Sequence, residues 1–124
     1  MGRVDSGSLA SKHCVPCESG TPALSPAEWQ PLHAQLDGWD VVDGLRLVKN
    51  FRFPDFLEAV GFVNQITPIA EAEGHHPDLV VGWGKVRVEL TTHAARGLTE
   101  NDFVLAAKID EEVSRRGPGA RSTN

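Results

Sequence analysis

Apolar side chains recur along this chain with two different periods, and the two periods predict where helices and strands lie. From Pro54 to about Ala72 the apolar positions share one face at helical spacing, and a second such stripe runs from Phe103 to Val113. Between them, residues 85–92 alternate apolar and polar side chains, as a strand with one buried face does. The pattern therefore indicates helices packed against one face of a sheet.

Capping and turn residues predict the remaining elements. Ser25 opens a capping box that starts a short helix to about Gln35. Asp43 and Gly44 separate two β-rich runs and form the strongest short hairpin signal. A second hairpin is expected around Trp83, which two glycines flank.

The predicted order is helix, two strands, helix, two strands, helix, and this order defines the fold class. We expect an α+β two-layer domain in which a four-stranded, largely antiparallel sheet is covered by helices. The domain should span residues 24–116, with residues 1–23 as a flexible N-terminal tail and residues 117–124 as a disordered C-terminal tail. Within the second helix, Pro68 should kink the axis or remove one hydrogen bond, and Gly74 should cap the end.

Composition narrows the class of protein. The chain has 124 residues, of which 40% are hydrophobic and 23% charged, as in an ordinary globular domain. No apolar run approaches the roughly 20 residues that a membrane span needs, and no secretory signal is recognisable, so a cytoplasmic location is the default expectation. A net charge of −5 with scattered basic residues argues against nucleic-acid binding.

The only cysteines, Cys14 and Cys17, have a spacing that occurs in zinc knuckles and redox motifs, and His13 precedes them. These three side chains fall short of a closed tetrahedral site. The residues around them describe a loop rather than the helix that a redox motif would open. An inert pair is the favoured interpretation, and a metal half-site completed by another subunit is the alternative.

A cluster of histidines is the clearest sign of chemistry. His75, His76 and Pro77 form a tripeptide directly after the long helix, and His93 follows the next apolar run. Histidine is the side chain whose ordinary pKa, about 6.5, allows proton transfer near neutrality, so the cluster indicates acid–base catalysis or metal binding. The alternative interpretation is that these histidines lie on the surface in a turn and have no function.

The stretch 71–102 resembles the signature of the pterin-4a-carbinolamine dehydratases. In that signature an acidic residue, a His-His-Pro tripeptide, an aromatic residue, a histidine and an aspartate follow one another at set spacings. The positions that match it here are Glu71, His75, His76, Pro77, Trp83, His93 and Asp102. The predicted order of elements from about Ser25 to Val113 also agrees with the family.

The resemblance implies a hydro-lyase that dehydrates 4a-hydroxytetrahydropterin to quinonoid dihydropterin. This reaction recycles the pterin after aromatic amino-acid hydroxylation, so a functional link to such a hydroxylase is implied. The pterin is then the substrate, and no separate cofactor or metal ion is expected. By the same resemblance His75, His76 and His93 are catalytic; we hypothesise that His76 and His93 transfer protons while His75 orients the substrate. A homodimer or homotetramer is expected.

The other motif positions carry alternatives. Glu71 could polarise an imidazole or hold the pterin, Trp83 could wall the pocket or lie in the core, and Pro77 could contact substrate or only form the turn. Asp102 falls at the third position of a helix opened by Thr99. There an acid caps the backbone and favours the helix dipole, so a structural or supporting role is preferred.

Two competing functions stay open at this point. A zinc site built on three histidines is one, although the neighbouring His75 and His76 cannot easily converge on one ion. A non-catalytic binding or assembly module is the other, because relatives of this fold serve as dimerisation cofactors of a transcription factor or as Rubisco assembly factors. The intact histidine trio favours the enzyme.

Overall fold

The structure is a computed structural model that describes residues 9–16, 20–116 and 121–123. Its elements follow the predicted order α-β-β-α-β-β-α, and a short strand is added at the C-terminal end. Their bounds are α1 Pro26–His33, β1 Asp40–Val42, β2 Arg46–Arg52, α2 Phe56–Glu73, β3 Asp78–Gly82, β4 Lys85–Leu90, the 3-10 helix His93–Ala95, α3 Glu100–Arg116 and β5 Arg121–Thr123.

Four antiparallel strands form an open sheet in the order β1-β2-β4-β3. In the central pair, Leu47 lies opposite Leu90 and Phe51 lies opposite Val86, so apolar side chains of both strands share one face. β3 pairs with β4 and lies at one edge of the sheet. The predicted fold class, a four-stranded antiparallel sheet in an α+β domain, is confirmed.

The helices α2 and α3 bury their apolar faces against the sheet. From α2, Ala59, Phe62, Ile66 and Ala70 are buried at the spacing of one helical face. The fully buried side chains that fill the core include Leu47, Phe51, Phe62, Ile66, Val86, Val88, Leu90, Leu98, Phe103, Leu105 and Ile109. No helix in the described part of the chain is long and apolar enough to cross a membrane.

The predicted cap at the start of α1 and the predicted cap at the end of α2 are both present. The Glu28 carboxylate accepts a hydrogen bond from the Ser25 N–H at 2.7 Å, which completes the capping box of α1. α2 continues through Pro68, whose missing N–H removes one helical hydrogen bond without ending the helix. Gly74 ends α2 in the left-handed conformation, with φ at 66°.

The prediction of a flexible N-terminal tail is wrong for residues 9–16. Leu9 and Ala10 are buried in the core, and Lys12 pairs with Glu100 at 2.8 Å. One apolar pair can anchor a polar segment because its burial offsets part of the entropy lost when the segment becomes ordered. Two adjacent apolar residues are too few to show a helical or strand period, so the sequence pattern did not indicate this order. Residues 1–8 and 17–19 lie outside the described residues, so the interpretation of the Cys14–Cys17 spacing stays a prediction.

The prediction of a disordered C-terminal tail is wrong for residues 121–123. These residues form β5, which pairs antiparallel with β2 and sets Ser122 opposite Phe51. β1 pairs with only the first part of β2, so the rest of that edge offers backbone groups to another strand. Residues 117–120 and 124 lie outside the described residues.

Candidate active site

The end of α2 positions the His-His-Pro tripeptide. Gly74 ends the helix, and the His75 N–H donates to the Ala70 carbonyl at 3.2 Å, which closes the last turn. A Cβ at Gly74 would meet no atom within 4 Å, so the positive φ, rather than a lack of space, favours glycine here. The two imidazoles therefore leave the backbone at the junction of α2 and β3, just before Pro77.

A carboxylate from another helix holds the His75 ring. The Nε2 atom of His75 lies 2.6 Å from Oδ1 of Asp102, in the first turn of α3. Since an ionised carboxylate only accepts hydrogen bonds, the ring donates from Nε2 and keeps Nδ1 for another partner. The two side chains are only 11% and 0% exposed. A charge-assisted hydrogen bond at such a buried position fixes the plane of the imidazole.

Asp102 is itself held by two further donors. Its Oδ2 accepts from the Thr99 N–H and from the Thr92 hydroxyl, both at 2.9 Å. The Thr92 and Thr99 hydroxyl oxygens lie 2.8 Å apart, so Thr99 donates to Thr92, whose own proton goes to Asp102. The Thr99 contact is the cap that the sequence predicted. The same carboxylate also orients His75, which the capping pattern alone does not indicate.

His76 forms a second histidine–carboxylate pair, this time at the surface. Its Nε2 lies 2.7 Å from Oε2 of Glu71, which is in the last turns of α2. The side chains are 58% and 70% exposed. Water screens such a pair, so Glu71 constrains the His76 ring far less than Asp102 constrains His75.

His93 lies beyond the end of β4 and does not continue the strand. β4 ends at Leu90, and His93 is the first residue of the 3-10 helix. The Thr92 N–H donates to the Gly97 carbonyl at 2.9 Å, and Arg96 adopts a left-handed φ of 57°. The backbone therefore leaves the strand before it reaches His93. A tight loop presents this exposed histidine instead.

One cavity of about 250 Å³ brings the three histidines together, and we call it the histidine cavity. Its lining residues are Val15, Pro16, Gly74, His75, His76, Thr91, Thr92, His93, Ala94 and Asn101. This volume lies just below the usual range for small-molecule sites, roughly 300–1,000 Å³. The sequence predicted that His75, His76 and His93 form one site, and the three residues line the same cavity.

Glu71 and Pro77 lie beside the histidine cavity rather than in it. They line an adjacent cavity of about 170 Å³, and His76 lines both. A larger cleft of about 310 Å³ between α2 and α3 contains no histidine. Size therefore does not identify the site, and the concentration of groups that transfer protons does.

Trp83 is far from the histidines within this chain. It lies in the turn between β3 and β4, whereas the histidines flank the opposite ends of these strands. A five-residue strand such as β3 spans roughly 16 Å. Trp83 is also 69% exposed, so in the single chain it neither walls the histidine cavity nor lies in the core.

Some lining residues carry no signal that the sequence alone would single out. Val15 and Pro16 lie in a segment predicted to be a flexible tail, and Thr92 and Asn101 belong to no catalytic pattern. Among residues 9–16, the buried pair Leu9 and Ala10 is the apolar feature that could have indicated an ordered segment.

The arrangement can move protons at more than one point of a bound molecule. Two imidazoles have carboxylate partners, and a third enters the cavity from a separate loop. Within residues 9–16, 20–116 and 121–123, no group of three or more His, Cys, Asp and Glu side chains is placed to hold a metal ion.

Comparisons with known proteins point to one family. Residues 22–112 match the family model described as pterin 4 alpha carbinolamine dehydratase. A relative from Rubrobacter xylanophilus, named provisionally as a pterin-4-alpha-carbinolamine dehydratase, is 50% identical over 102 residues, which cover 82% of this chain and 95% of the relative. One from Methylococcus capsulatus with the same name is 45% identical over 109 residues, covering 87% and 96%.

A solved structure is similar in fold as well as in sequence. The crystal structure of a transcriptional coactivator/pterin dehydratase from Brucella melitensis aligns with a TM-score of 0.68 and 37% identity. The alignment covers 72% of this chain and 96% of that chain.

Proposed function

We propose that this chain, which belongs to the pterin-4-alpha-carbinolamine dehydratases, dehydrates 4a-hydroxytetrahydropterin. This family consists of hydro-lyases. The proposed reaction takes place in the histidine cavity by histidine acid–base catalysis. The observation that carries the proposal is the convergence of His75, His76 and His93 on one cavity. Two of them have carboxylate partners at 2.6 and 2.7 Å.

The reaction needs one proton delivered and one proton removed. The bond between the carbinolamine carbon and its hydroxyl oxygen breaks, while the lone pair of the adjacent ring nitrogen forms a carbon–nitrogen double bond. A proton from the protein joins the leaving oxygen to give water, and a proton is lost from the nitrogen side. The products are quinonoid dihydropterin and water, and the protein ends with the protons it began with. Histidine suits both transfers near neutral pH.

We propose that His76 and His93 transfer the protons and that His75 orients the pterin. His76 and His93 are exposed and come from two different loops, so a substrate can reach both. His75 is held by Asp102, and a fixed donor or acceptor is suited to binding. Glu71 would polarise His76 through its hydrogen bond.

Several related expectations belong to this proposal. The pterin enters as substrate, and the lone pair of its nitrogen drives the loss of hydroxide, so the proposed mechanism uses no bound metal or further cofactor. We place the reaction in the cytoplasm, where it would recycle the pterin of an aromatic amino-acid hydroxylase. The family match and the names of the relatives favour this enzyme over a non-catalytic assembly module.

We also propose that the protein is a homo-oligomer in which β3 pairs with β3 of a second copy. β3 is an edge strand, and Val80, Val81 and Trp83 expose large apolar side chains on it and its turn. Sedimentation velocity should show a dimer or tetramer for the wild type and a smaller species for Val80→Lys. A wild type that sediments as a monomer at micromolar concentration would refute this association.

The dehydration rate tests the proposed activity. A phenylalanine hydroxylase generates 4a-hydroxytetrahydropterin in the assay mixture. The disappearance of this pterin is then followed with and without the added protein. We expect acceleration by the wild type, a rate lowered at least about tenfold by His93→Ala, and no change in Gln30→Ala, an exposed position on α1. If the folded wild type gives no acceleration, the proposed activity is wrong.

A further inference from the structure

The N-terminal segment contributes directly to the wall of the histidine cavity. Val15 and Pro16 line the same space as His75, His76 and His93. These two residues precede residues 22–112, the part that matches the family model. Val15 is 65% exposed, so its side chain is accessible to a molecule that enters the cavity. We call residues 13–16 the N-terminal strap.

Asn101 ties the strap to the helix that holds His75. Its Oδ1 accepts from the Val15 N–H at 2.9 Å, and its Nδ2 donates to the Val15 carbonyl at 2.6 Å. The amide thus pairs with both backbone groups of Val15, much as a neighbouring strand would. Asn101 is buried and directly precedes Asp102 in α3. The strap and the His75 ring are therefore fixed by adjacent residues of one helix.

Glu73, the last residue of α2, ties the strap to the end of that helix, just before His75 and His76. Its Oε1 accepts from the Cys14 N–H at 2.7 Å, and its Oε2 accepts from Nδ1 of His13 at 2.9 Å. Burial alone would raise the pKa of Glu73, but these hydrogen bonds and the charge of Lys108 lower it overall. Two anchors, one on each helix, thus hold four residues across one side of the cavity.

We propose that the N-terminal strap is a wall of the pterin site and that Val15 packs on the part of the pterin remote from the reacting carbon. This inference rests on the proposed dehydratase function. The apolar side chain of Val15 would contact the bound pterin equally in the ground state and in the transition state. It would therefore contribute to substrate affinity and leave the rate of the chemical step unchanged. Glu73 acts as a positioning residue, because it fixes the strap without lining the histidine cavity.

Kinetics of strap variants test this assignment. We expect Val15→Ala and Glu73→Ala to raise KM about threefold to tenfold while kcat stays within about twofold, because only uniform binding is lost. Leu57→Ala is the matched control, since Leu57 is also an exposed apolar residue but lies outside the histidine cavity. An unchanged KM in both strap variants, or a fall in kcat alone, would overturn the assignment.

Direct binding separates this inference from the proposed function. Titration calorimetry with 7,8-dihydrobiopterin, a stable pterin, is performed on the full-length wild type, Val15→Ala and Leu57→Ala. Binding weakened in Val15→Ala alone supports the strap as a wall. Equal binding in all three overturns the strap and leaves the dehydratase intact. If the wild type neither binds the pterin nor accelerates dehydration, both the proposed function and the strap assignment fail.

Discussion

Two histidine–carboxylate pairs in this protein have nearly the same geometry and opposite surroundings. His75 and Asp102 are joined at 2.6 Å and are almost completely buried, whereas His76 and Glu71 are joined at 2.7 Å and lie in solvent. Both histidines line the histidine cavity. The distance between an imidazole and its carboxylate therefore does not show how firmly the ring is held, whereas the burial of the carboxylate does.

The energetic consequences of the two pairs follow from this difference. Removing one member of a buried pair leaves the other charge without compensation in a poorly solvated position, at a cost of about 3–5 kcal/mol. An exposed pair contributes about 0–1 kcal/mol because water competes with it. The Asp102 carboxylate therefore fixes the orientation of the His75 ring, whereas Glu71 leaves the His76 ring freer to reorient.

The largest expected effect is the loss of Asp102. Asp102→Ala removes the acceptor for His75, for the Thr99 N–H and for the Thr92 hydroxyl, so we expect the free energy of unfolding to fall by about 3–5 kcal/mol. Urea denaturation followed by circular dichroism measures it. Glu71→Ala is the control and should stay within about 0.5 kcal/mol of the wild type. Equal losses in the two variants would remove the distinction between the pairs.

A second expected effect concerns the hydroxyl group behind the buried pair. Thr92→Val keeps the shape of the side chain but removes the donor to Asp102 and leaves the Thr99 hydroxyl without its acceptor. We expect a loss of about 1–2 kcal/mol in the free energy of unfolding. Thr67→Val, on the exposed surface of α2, should change it by less. A Thr92→Val protein as stable as the wild type would show that the network does not hold Asp102.

The pair of His13 and Glu73 is intermediate, since the histidine is exposed and the carboxylate is buried. The pKa of Glu73 is lower in the folded protein than its ordinary value of 4.5, so its ionised form stabilises the fold above that value. This contribution is lost as the pH falls through the lowered pKa. We expect the free energy of unfolding of Glu73→Gln to be about 1 kcal/mol lower than that of the wild type at pH 7, and this gap to close as the pH falls through the lowered pKa of Glu73. A gap that stays the same from neutral to acid pH would contradict this.

The smallest expected effect on stability is that of Glu71→Gln. The amide keeps an acceptor near His76 but loses the charge, and at an exposed position this changes the free energy of unfolding by less than about 0.5 kcal/mol. The dehydration rate should nevertheless fall, by less than about tenfold, because His76 loses its anionic partner. A rate equal to that of the wild type would mean that Glu71 does not act through His76.

The fold was largely readable from the sequence because its signals are local. Capping residues such as Ser25 and Gly74 and the alternation in residues 85–92 each report the backbone within a few positions. The N-terminal segment and β5 were missed because their order depends on distant partners. Leu9 packs into a core to which α2 and α3 also contribute, and Arg121–Thr123 pair with β2 across the chain.

The candidate site was readable only in part, for the same reason. The positions of His75, His76 and His93 pointed to one site because few side chains can transfer protons. The partner of each histidine could not be predicted, since whether a carboxylate is buried depends on packing around it. Asp102 was therefore expected to have a structural or supporting role without His75 as its identified partner. Trp83 was expected either in the pocket or in the core, although it lies exposed in the turn between β3 and β4.

The rate of 4a-hydroxytetrahydropterin dehydration by His76→Ala, measured beside the wild type at equal concentrations of folded protein, decides whether His76 transfers a proton. We expect a rate at least about tenfold lower, because the proposed reaction needs this imidazole. The free energy of unfolding should stay within about 0.5 kcal/mol of that of the wild type, because the pair of His76 and Glu71 is exposed. A folded His76→Ala protein that retains the wild-type rate would refute the proposed role of His76.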